Sequence, residues 1–214
     1  MKELEVTKDL AYLLGAFKDG AIYKNEKEGI YRVRIYQKNK EWLISLQKIF
    51  EKIFDKKLYL RKDPRKELWY LEINSKKLFE ILSELVSLPV PLQIESAPFE
   101  LQNSFVQGVF DAEGGIMRIE KYENDQELLN KKLKDIRVRF GQANKELLEF
   151  IKKVLEKNEI TSGKICGPFY KTKTSQGYYE LNSYGLENLK KFKFSIDSRH
   201  PIKVERMSKI VHLA

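Results

Sequence analysis

Hydrophobic residues follow two different spacings along the chain, and the same order of segments occurs twice. A spacing of three and four residues predicts helices in the first half over 8–18, 39–54 and 75–88. Apolar residues that alternate with polar ones predict strands around 31–36, 57–62 and 68–73. The second half repeats this order, with helices over 101–112, 144–158, 185–192 and 202–213 and strands around 136–140, 164–170 and 177–182. The pattern predicts an α+β fold made of two αββαββα repeats in tandem.

The repeat is clearest in two segments of ten residues, 31–40 and 136–145, which lie at an offset of 105. Both read apolar-Arg-Val-Arg-apolar-x-Gln-x-Asn-Lys. Each follows an apolar helix that ends in an acidic residue and a glycine, Asp19-Gly20 in one half and Glu113-Gly114 in the other. The second half has more residues than the first between this helix end and the repeated segment, and we place them in the polar stretch 123–135. The chain is therefore predicted to consist of two halves, 1–92 and 101–214, joined by a linker over 93–100.

Composition and charge restrict the class of protein. The 214 residues are 42% hydrophobic and 33% charged, which is typical of a folded globular chain. Lys and Arg outnumber Asp and Glu by 40 to 31, and the formal net charge of +9 favours a polyanionic partner. A single cysteine, Cys166, excludes an internal disulfide framework, and the two histidines are too few for a histidine-based metal site.

Other sequence signals bear on location and cofactors. No apolar run is long enough to span a membrane, and the N-terminal residues lack the pattern of a signal peptide. We therefore expect a soluble protein of the cytoplasm that has no membrane partner. The chain contains no glycine-rich phosphate-binding loop, so we do not expect a nucleotide cofactor.

The two apolar helices that end at Asp19 and Glu113, called the motif helices, carry the candidate chemistry. Small residues recur along them at a spacing of four: Ala11 and Gly15 in the first, and Ser104, Gly108 and Ala112 in the second. This stripe would let the two helices pack backbone against backbone and bring Asp19 and Glu113 together. Two close carboxylates repel each other unless a hard divalent cation lies between them, as in many phosphodiester hydrolases. Either acidic-Gly pair alone is a common end of a helix, but the duplication favours the metal site.

The segment Phe105-Val-Gln-Gly-Val-Phe-Asp-Ala-Glu-Gly resembles the sequence motif of the LAGLIDADG family. Nearly the whole chain is similar to the two-motif homing endonucleases of that family, of the archaeal intron-encoded type. The first motif departs from the pattern, because Gly15 precedes Asp19 by four residues whereas Gly108 precedes Glu113 by five. One missing residue rotates the glycine by about 100° around a helix.

The resemblance implies a monomer with pseudo-twofold symmetry, in which two saddle-shaped antiparallel sheets are packed through the two motif helices. It implies that the sheets bind the major groove of double-stranded DNA and that the enzyme cuts both strands of a long, partly palindromic site, leaving short 3′ overhangs. Asp19 and Glu113 would hold Mg²⁺ or Mn²⁺ at the cleavage site. Gln37, Gln142 and Lys203 match the family's residues that support the water molecules around the metal. The first half has no lysine that corresponds to Lys203.

Arginines lie on the polar side of the repeated strands: Arg32 and Arg34 in the first half, and Arg137 and Arg139 in the second. A guanidinium can bind guanine O6 and N7, or a phosphate, through two parallel hydrogen bonds. The other candidate DNA-binding residues are Tyr36, Lys38, Tyr59, Arg61, Tyr70, Lys171 and Lys173. Two alternative functions stay open, an RNA maturase and a cleavage-inactive DNA-binding protein, but retention of both acidic motif residues favours the nuclease.

Overall fold

The computed structural model of the protein describes residues 5–64, 66–116, 135–170, 172 and 176–213. The chain divides into two compact units, the first ending at Ala112 and the second beginning at Glu113. The helices and strands of the first unit are α1 (Lys8–Ala16), β1 (Gly20–Asn25), β2 (Ile30–Gln37), α2 (Lys40–Phe54), β3 (Tyr59–Lys62), β4 (Trp69–Asn74), α3 (Lys76–Leu85), α4 (Leu92–Glu95) and α5 (Phe99–Glu113). The last residue of α5, Glu113, already belongs to the second unit. The described elements that follow are β5 (Gly114–Ile116), β6 (Arg137–Gln142), α6 (Lys145–Lys157), β7 (Cys166–Phe169), β8 (Tyr178–Tyr184), α7 (Leu186–Ser195) and α8 (Pro201–Leu213).

One four-stranded antiparallel sheet forms the centre of each unit. The strand order is β1-β2-β4-β3 in the first sheet and β5-β6-β8-β7 in the second. Gly20 pairs with Ile35 in the first sheet, and Gly114 pairs with Phe140 in the second, so both sheets use the same register after the motif helix. The predicted α+β fold and its tandem αββαββα order are confirmed.

Polar residues just before the helices explain why the helices begin where they do. Four of them accept a hydrogen bond from a backbone N–H in the first turn, which compensates one of the amide groups left unpaired at a helix start. They are Thr7 before α1, Asn39 before α2, Ser75 before α3 and Asn144 before α6. The Asn39 and Asn144 caps come from the repeated Gln-x-Asn-Lys segment, so the repeat sets the strand end and the next helix start in both units.

The apolar side of each sheet is buried under helices. The buried residues of the first unit include Val33, Ile35 and Leu71 from the strands and Trp42, Leu43, Leu46 and Phe50 from α2. In the second unit Phe140 is fully buried, and its ring packs edge-on against Phe192 of α7 at a centroid distance of 6.2 Å. Because side chains alternate along a strand, burial of these residues places the intervening arginines on the opposite face of each sheet.

Helices α1 and α5 pack with their backbones in contact within the first unit. A methyl group on Gly15 would lie 2.1 Å from the backbone oxygen of Phe105, and one on Gly108 would lie 2.0 Å from the backbone oxygen of Tyr12. Neither position therefore has room for any side chain. Both glycines of the predicted small-residue stripe lie in this helix contact, although the first motif is one residue shorter.

A 3₁₀ turn over Phe17–Asp19 accommodates the missing residue of the first motif. Helix α1 ends at Ala16, so Gly15 keeps its place against α5 while the tighter turn carries the chain to Asp19. Gly20 then starts β1 in an extended conformation, with φ −89° and ψ 159°. The glycine is needed for close approach, because a Cβ there would lie 2.7 Å from the backbone oxygen of Phe17.

The compact units and the predicted halves of the sequence repeat have different boundaries. Contact with α1 joins α5 to the first unit up to Ala112, whereas the repeat assigns the same helix to the second half. Within the predicted linker 93–100, Ile94 is buried in the short helix α4. The division into 1–92 and 101–214 concerns the repeat and stays a prediction. The extra polar stretch of the second half falls almost entirely on 117–134, outside the described residues.

Candidate functional site

In the first unit, the structure brings together the predicted pair Asp19 and Gln37. Asp19 ends the 3₁₀ turn after α1, and Gln37 is the last residue of β2. The Gln37 Nε2 group donates a hydrogen bond to Asp19 Oδ2 at 2.9 Å. The Gln37 Oε1 atom accepts from the backbone N–H of Lys38 at 2.8 Å, which holds the amide in the orientation that directs Nε2 to the carboxylate. The Asp19 carboxylate is thus oriented by an amide, a side chain that carries no charge.

The second unit places Lys203 beside the other motif end. Glu113 is the exposed last residue of α5, and Gly114 directly after it begins β5. The Lys203 Nζ group, in the first turn of α8, donates a hydrogen bond to the backbone oxygen of Gly114 at 2.8 Å. Lys203 is therefore hydrogen-bonded to the backbone of the residue that directly follows Glu113, the predicted metal ligand.

Gln142 of the second unit differs from its counterpart Gln37. Its Nε2 atom is buried, and no acceptor for it lies among the described residues. A buried amide donor without an acceptor is costly, by about 1–3 kcal/mol, so the position is suited to a water molecule or an anionic oxygen as partner. The structure thus places Gln142 at the end of β6 as the repeat predicts, but not in the contact that Gln37 makes.

Two basic groups near the motif ends are desolvated. Burial lowers the pKa of Lys18, which directly precedes Asp19. Burial, and then the nearby charge of Lys203, lowers the pKa of His200 to about 4. His200 is therefore neutral at pH 7, and the positive charge of this part of α8 is carried by Lys203 and its neighbours rather than by the imidazole.

The carboxylates of the motif ends suit a metal ion that binds together with a phosphate. Among the described residues, no three His, Cys, Asp or Glu side chains lie close enough together to hold a metal ion by themselves. Mg²⁺ is commonly held by one or two carboxylates, with waters and substrate phosphate oxygens completing the octahedron. Asp19 of the first unit and Glu113 of the second are each a carboxylate of the kind that such an ion uses, and the unsatisfied amide of Gln142 suits a water or phosphate oxygen.

A buried hydrogen-bonded chain that the sequence analysis missed links three helices of the first unit. Trp42 Nε1 of α2 donates to the hydroxyl of Tyr12 in α1 at 2.7 Å, and this hydroxyl donates to Asp111 Oδ2 of α5 at 2.7 Å. All three side chains are fully buried. Asp111 precedes Glu113 by two residues, so the chain fixes the last turn of α5 against α1 and α2. Since Tyr12 and Asp111 are 99 residues apart, no local spacing reveals their contact.

The predicted DNA-binding residues of the first unit lie on one face of its sheet. Strand pairing arranges this face in three rows across the strands: Tyr23–Arg32–Asn74, Ala21–Arg34–Glu72–Tyr59 and Tyr36–Tyr70–Arg61. Lys38 follows β2 and is exposed. The register adds Tyr23, which the sequence analysis did not single out because β1 carries no clear alternation. We call this face the first polar face.

Arg34 is held on several sides within the first polar face. Glu72 accepts a hydrogen bond from its Nε group and forms an ion pair with Nη2, and the Tyr36 hydroxyl accepts a hydrogen bond from Nη1 at 3.0 Å. The guanidinium carbon lies 5.0 Å from the centre of the Tyr70 ring. Partial burial acts to lower the pKa of Arg34, but the hydrogen bonds to Tyr36 and Glu72 outweigh it, and the pKa is raised. Glu72 also binds Arg32 Nε at 3.2 Å.

The corresponding face of the second unit is more open. Arg137 pairs with Tyr184, Arg139 with Asn182, and Gly141 with Glu180. Among the described residues, one carboxylate contacts Arg139, Glu180 of the next row, whose Oε1 lies 3.3 Å from Nη1. Both arginines are exposed. The remaining predictions for this unit, Lys171 and Lys173, lie outside the described residues.

A cleft of about 500 Å³ at the outer edge of the first sheet adds two candidates. Its lining includes Lys56 and Lys57, from the turn after α2, and Tyr59 and Arg61 of β3. Both lysines are exposed. The sequence signal for them was weak, since a lysine pair after a helix is usually a solvated surface. Their place beside predicted DNA-binding residues makes them candidates for phosphate contacts.

Comparisons with known proteins give a matching family model and similar sequences that span most of the chain. Residues 100–197 match the family model described as a LAGLIDADG-like domain. Over 217 residues the chain is 28% identical to homing endonuclease I-ApeI of Aeropyrum pernix, with 94% of this chain and 86% of the relative covered. It is 25% identical over 223 residues to the uncharacterized protein MJ0398 of Methanocaldococcus jannaschii, with 98% and 73% covered.

Solved structures show the same similarity. The crystal structure of I-DmoI in complex with DNA and Mn aligns at a TM-score of 0.65 and 26% identity, covering 92% of this chain and 99% of that one. The homing endonuclease I-WcaI bound to its DNA recognition sequence shares the fold at a TM-score of 0.54 and 16% identity, covering 96% and 87%. Residues 100–197 thus form a LAGLIDADG-like domain, and with its duplicated motif, paired glycines and repeated sheets the whole chain is similar to the LAGLIDADG homing endonucleases.

Proposed function

We propose that this protein is a site-specific DNA endonuclease that acts as a monomer and cuts both strands of a long, partly palindromic target, leaving short 3′ overhangs. The observation that carries the proposal is the contact between Asp19 and Gln37, residues that the repeat duplicates as Glu113 and Gln142. A protein that only binds DNA has no use for an oriented carboxylate beside phosphate, because the carboxylate would repel the backbone. The relatives I-DmoI and I-WcaI, solved in complex with DNA, support the same function.

The reaction uses a divalent metal, which we propose to be Mg²⁺ or Mn²⁺ held by Asp19 and Glu113. I-DmoI has been solved with DNA and Mn, and with DNA and Ca. A bound ion of this type supplies an activated water nucleophile and neutralises charge on the phosphate. The ligand chemistry of the two motif ends fits such an ion only when phosphate oxygens join the carboxylates.

The surrounding side chains have separate tasks in this proposal. Gln37 keeps the Asp19 carboxylate in one orientation without neutralising it. Gln142 offers a buried N–H to a water or phosphate oxygen. Lys203, anchored on the backbone of Gly114, places positive charge beside Glu113, where it offsets the negative charge that develops on the phosphate.

The polar faces of the two sheets bind the DNA in this proposal. The exposed or half-buried arginines and tyrosines of the two polar faces suit base edges and phosphates, and the net charge of +9 favours association with the duplex. None of the helices in the described part of the chain is long and apolar enough to cross a membrane. Two of the relatives come from the archaea Aeropyrum pernix and Methanocaldococcus jannaschii, and we propose that the protein acts inside a prokaryotic cell.

The test begins with a target selected from random double-stranded DNA by binding, followed by cleavage with Mg²⁺, with Mn²⁺ and with chelator. We expect cleavage of both strands that depends on the metal. Asp19→Asn and Glu113→Gln should abolish cleavage of both strands but keep specific binding, whereas Glu100→Gln, a change at an exposed ion pair with Lys8, should cut like the unmodified protein. Binding without metal-dependent cutting would support the cleavage-inactive alternative, and wild-type cutting by Glu113→Gln would remove that residue from the site.

A further inference from the structure

Glu72 occupies an unusual place for a carboxylate in a surface that binds DNA. It lies in the middle of β4 opposite Arg34 and Tyr59, and 17% of its side chain is exposed. It accepts a hydrogen bond from Nε of Arg34 and also forms ion pairs with Nη2 of Arg34 and with Nε of Arg32. A negative charge at this position weakens attraction to phosphate, so its presence needs a compensating role.

We propose that Glu72 is a positioning residue that sets the base preference of one half-site by holding the guanidinium of Arg34 in a single orientation. The inference rests on the proposed function and deepens it. A guanidinium carries five N–H groups. Glu72 takes the Nε hydrogen and forms an ion pair with Nη2, and Tyr36 takes one hydrogen on Nη1, so an N–H on each Nη remains for a base. This pair matches the O6 and N7 acceptors of guanine, the commonest specific contact of arginine in the major groove.

Two physical effects make a held arginine more selective than a mobile one. An arginine restrained by Glu72, Tyr36 and the Tyr70 ring loses little rotamer freedom when it binds a base, whereas a mobile arginine loses it on binding. The carboxylate also disfavours capture of Arg34 by a phosphate, because a phosphate at this place would lie near the negative charge of Glu72. Selectivity thus comes both from stronger binding of Arg34 to the correct base and from weaker binding of Arg34 to a phosphate.

The second unit provides an internal comparison. Arg139 holds the strand position that corresponds to Arg34, but its direct partner across the strands is Asn182 and not a glutamate. Its contact with Glu180 at 3.3 Å comes from the next row, and 49% of its side chain is exposed against 27% for Arg34. Arg34 is therefore restrained by several contacts in the first unit, whereas Arg139 is less restrained in the second.

The experiment compares Glu72→Gln with Glu180→Gln, and uses Glu84→Gln on the exposed side of α3 as a control for the loss of one negative charge. Each variant is profiled for binding and for cleavage on a library of singly substituted target sites. Binding is measured in Ca²⁺, so the profile does not depend on cutting. Arg34→Ala identifies the base pair that Arg34 reads.

We expect Glu72→Gln to reduce discrimination at that base pair about tenfold and to strengthen binding to unrelated DNA, with little change at other positions. Glu72→Asp, which keeps the charge, should retain part of the discrimination, a result that loss of folding would not give. Glu180→Gln should alter only positions read by the second unit, and Glu84→Gln should leave the profile unchanged.

Unchanged discrimination in Glu72→Gln would overturn the inference and leave the proposed function intact, as would an equal loss at every position. Wild-type protein that shows no sequence preference for DNA would overturn the proposed function and the inference with it. Specific binding without cutting would affect only the proposed function, since the binding profile still tests Glu72.

Discussion

Gln37 orients the carboxylate of Asp19, the acidic residue at the motif end of the first unit. Its amide is oriented at one end by the backbone of Lys38 and bonded at the other end to Asp19. Groups that orient a metal ligand are typically worth about 10–100-fold in activity when removed. Because Gln37 carries no charge, its effect should appear in the rate of cutting and not in the affinity for DNA.

We expect Gln37→Ala to slow cutting of one strand by about 10–100-fold, so that nicked DNA accumulates, while DNA affinity stays within about twofold. The measurement is a single-turnover time course with each strand labelled separately. Gln93→Ala, at an exposed position of α4, serves as the control. Equal slowing of both strands would contradict the assignment of Gln37 to one carboxylate.

His200 makes folding of the second unit sensitive to acid. Its folded pKa is about 4, below the ordinary value of 6.5, because burial and then the charge of Lys203 disfavour the imidazolium form. The unfolded chain therefore binds more protons between about pH 6.5 and 4, and stability falls as the pH falls through that window. Above about pH 6.5 the effect is absent, since His200 is neutral in both states.

Between about pH 7 and 4.5, the free energy of unfolding of the protein should fall by about 2 kcal/mol more than that of His200→Gln. Urea unfolding at a series of pH values measures both. The difference between the two proteins isolates His200 from the carboxylates that titrate in the same range. Parallel profiles would show that His200 is not desolvated in the folded state.

Residues with a repeated local pattern were predictable from the sequence, and residues defined by distant contacts were not. Asp19, Gln37 and the strand arginines all belong to segments that occur twice, so repetition identified them. The partnership of Tyr12 with Asp111 depends on how α1 meets α5, which no single segment encodes. Glu72 was visible only as one member of a polar strand face until the register placed it opposite Arg34.

The contact of α1 with α5 depends on two glycines and tolerates a change in motif length. Gly15 and Gly108 let the two backbones touch, while the 3₁₀ turn Phe17–Asp19 accommodates the shorter first motif. The spacing of small residues predicted the stripe, and the structure confirms the helices to within two residues at either end. The turn was not predictable, because a chain one residue shorter can either rotate the glycine or tighten the helix end, and packing decides between them.

Gly108→Ala should destabilise the protein by about 3 kcal/mol or prevent folding, because the added methyl group would lie 2.0 Å from a backbone oxygen that cannot move independently. Gly141→Ala is the matched control, since nothing lies within 4 Å of its Cβ position. Chemical denaturation of both variants gives the comparison. A loss of less than about 0.5 kcal/mol in Gly108→Ala would show that the helices are not in backbone contact.

In the proposed function, phosphate contacts and base contacts are distributed over the two sheets. Each phosphate neutralised releases counterions, so the logarithm of the DNA affinity should fall with the logarithm of salt concentration by about 0.9 per contact. Base contacts act differently, because losing one relaxes preference at a single position. The two kinds of contact can therefore be separated in the same set of variants.

Arg34→Ala and Arg139→Ala should each relax preference in a different half of the target, by about 1–3 kcal/mol at one base pair. Cleavage profiles on singly substituted sites measure this. Lys57→Ala, at the outer cleft, should instead weaken binding to all sequences equally and reduce the salt slope by about one unit. If both arginine variants relax the same half-site, the two sheets do not read opposite halves.

The different residues at one equivalent position, Glu72 in the first sheet and Asn182 in the second, have an evolutionary consequence. In a homodimer built from a single half, every substitution would appear twice, and recognition would be restricted to perfect inverted repeats. Fusion of two copies into one chain removes this restriction, because each copy can mutate alone. Specificity can then change one base pair at a time, with one sheet altered while the other keeps its contacts.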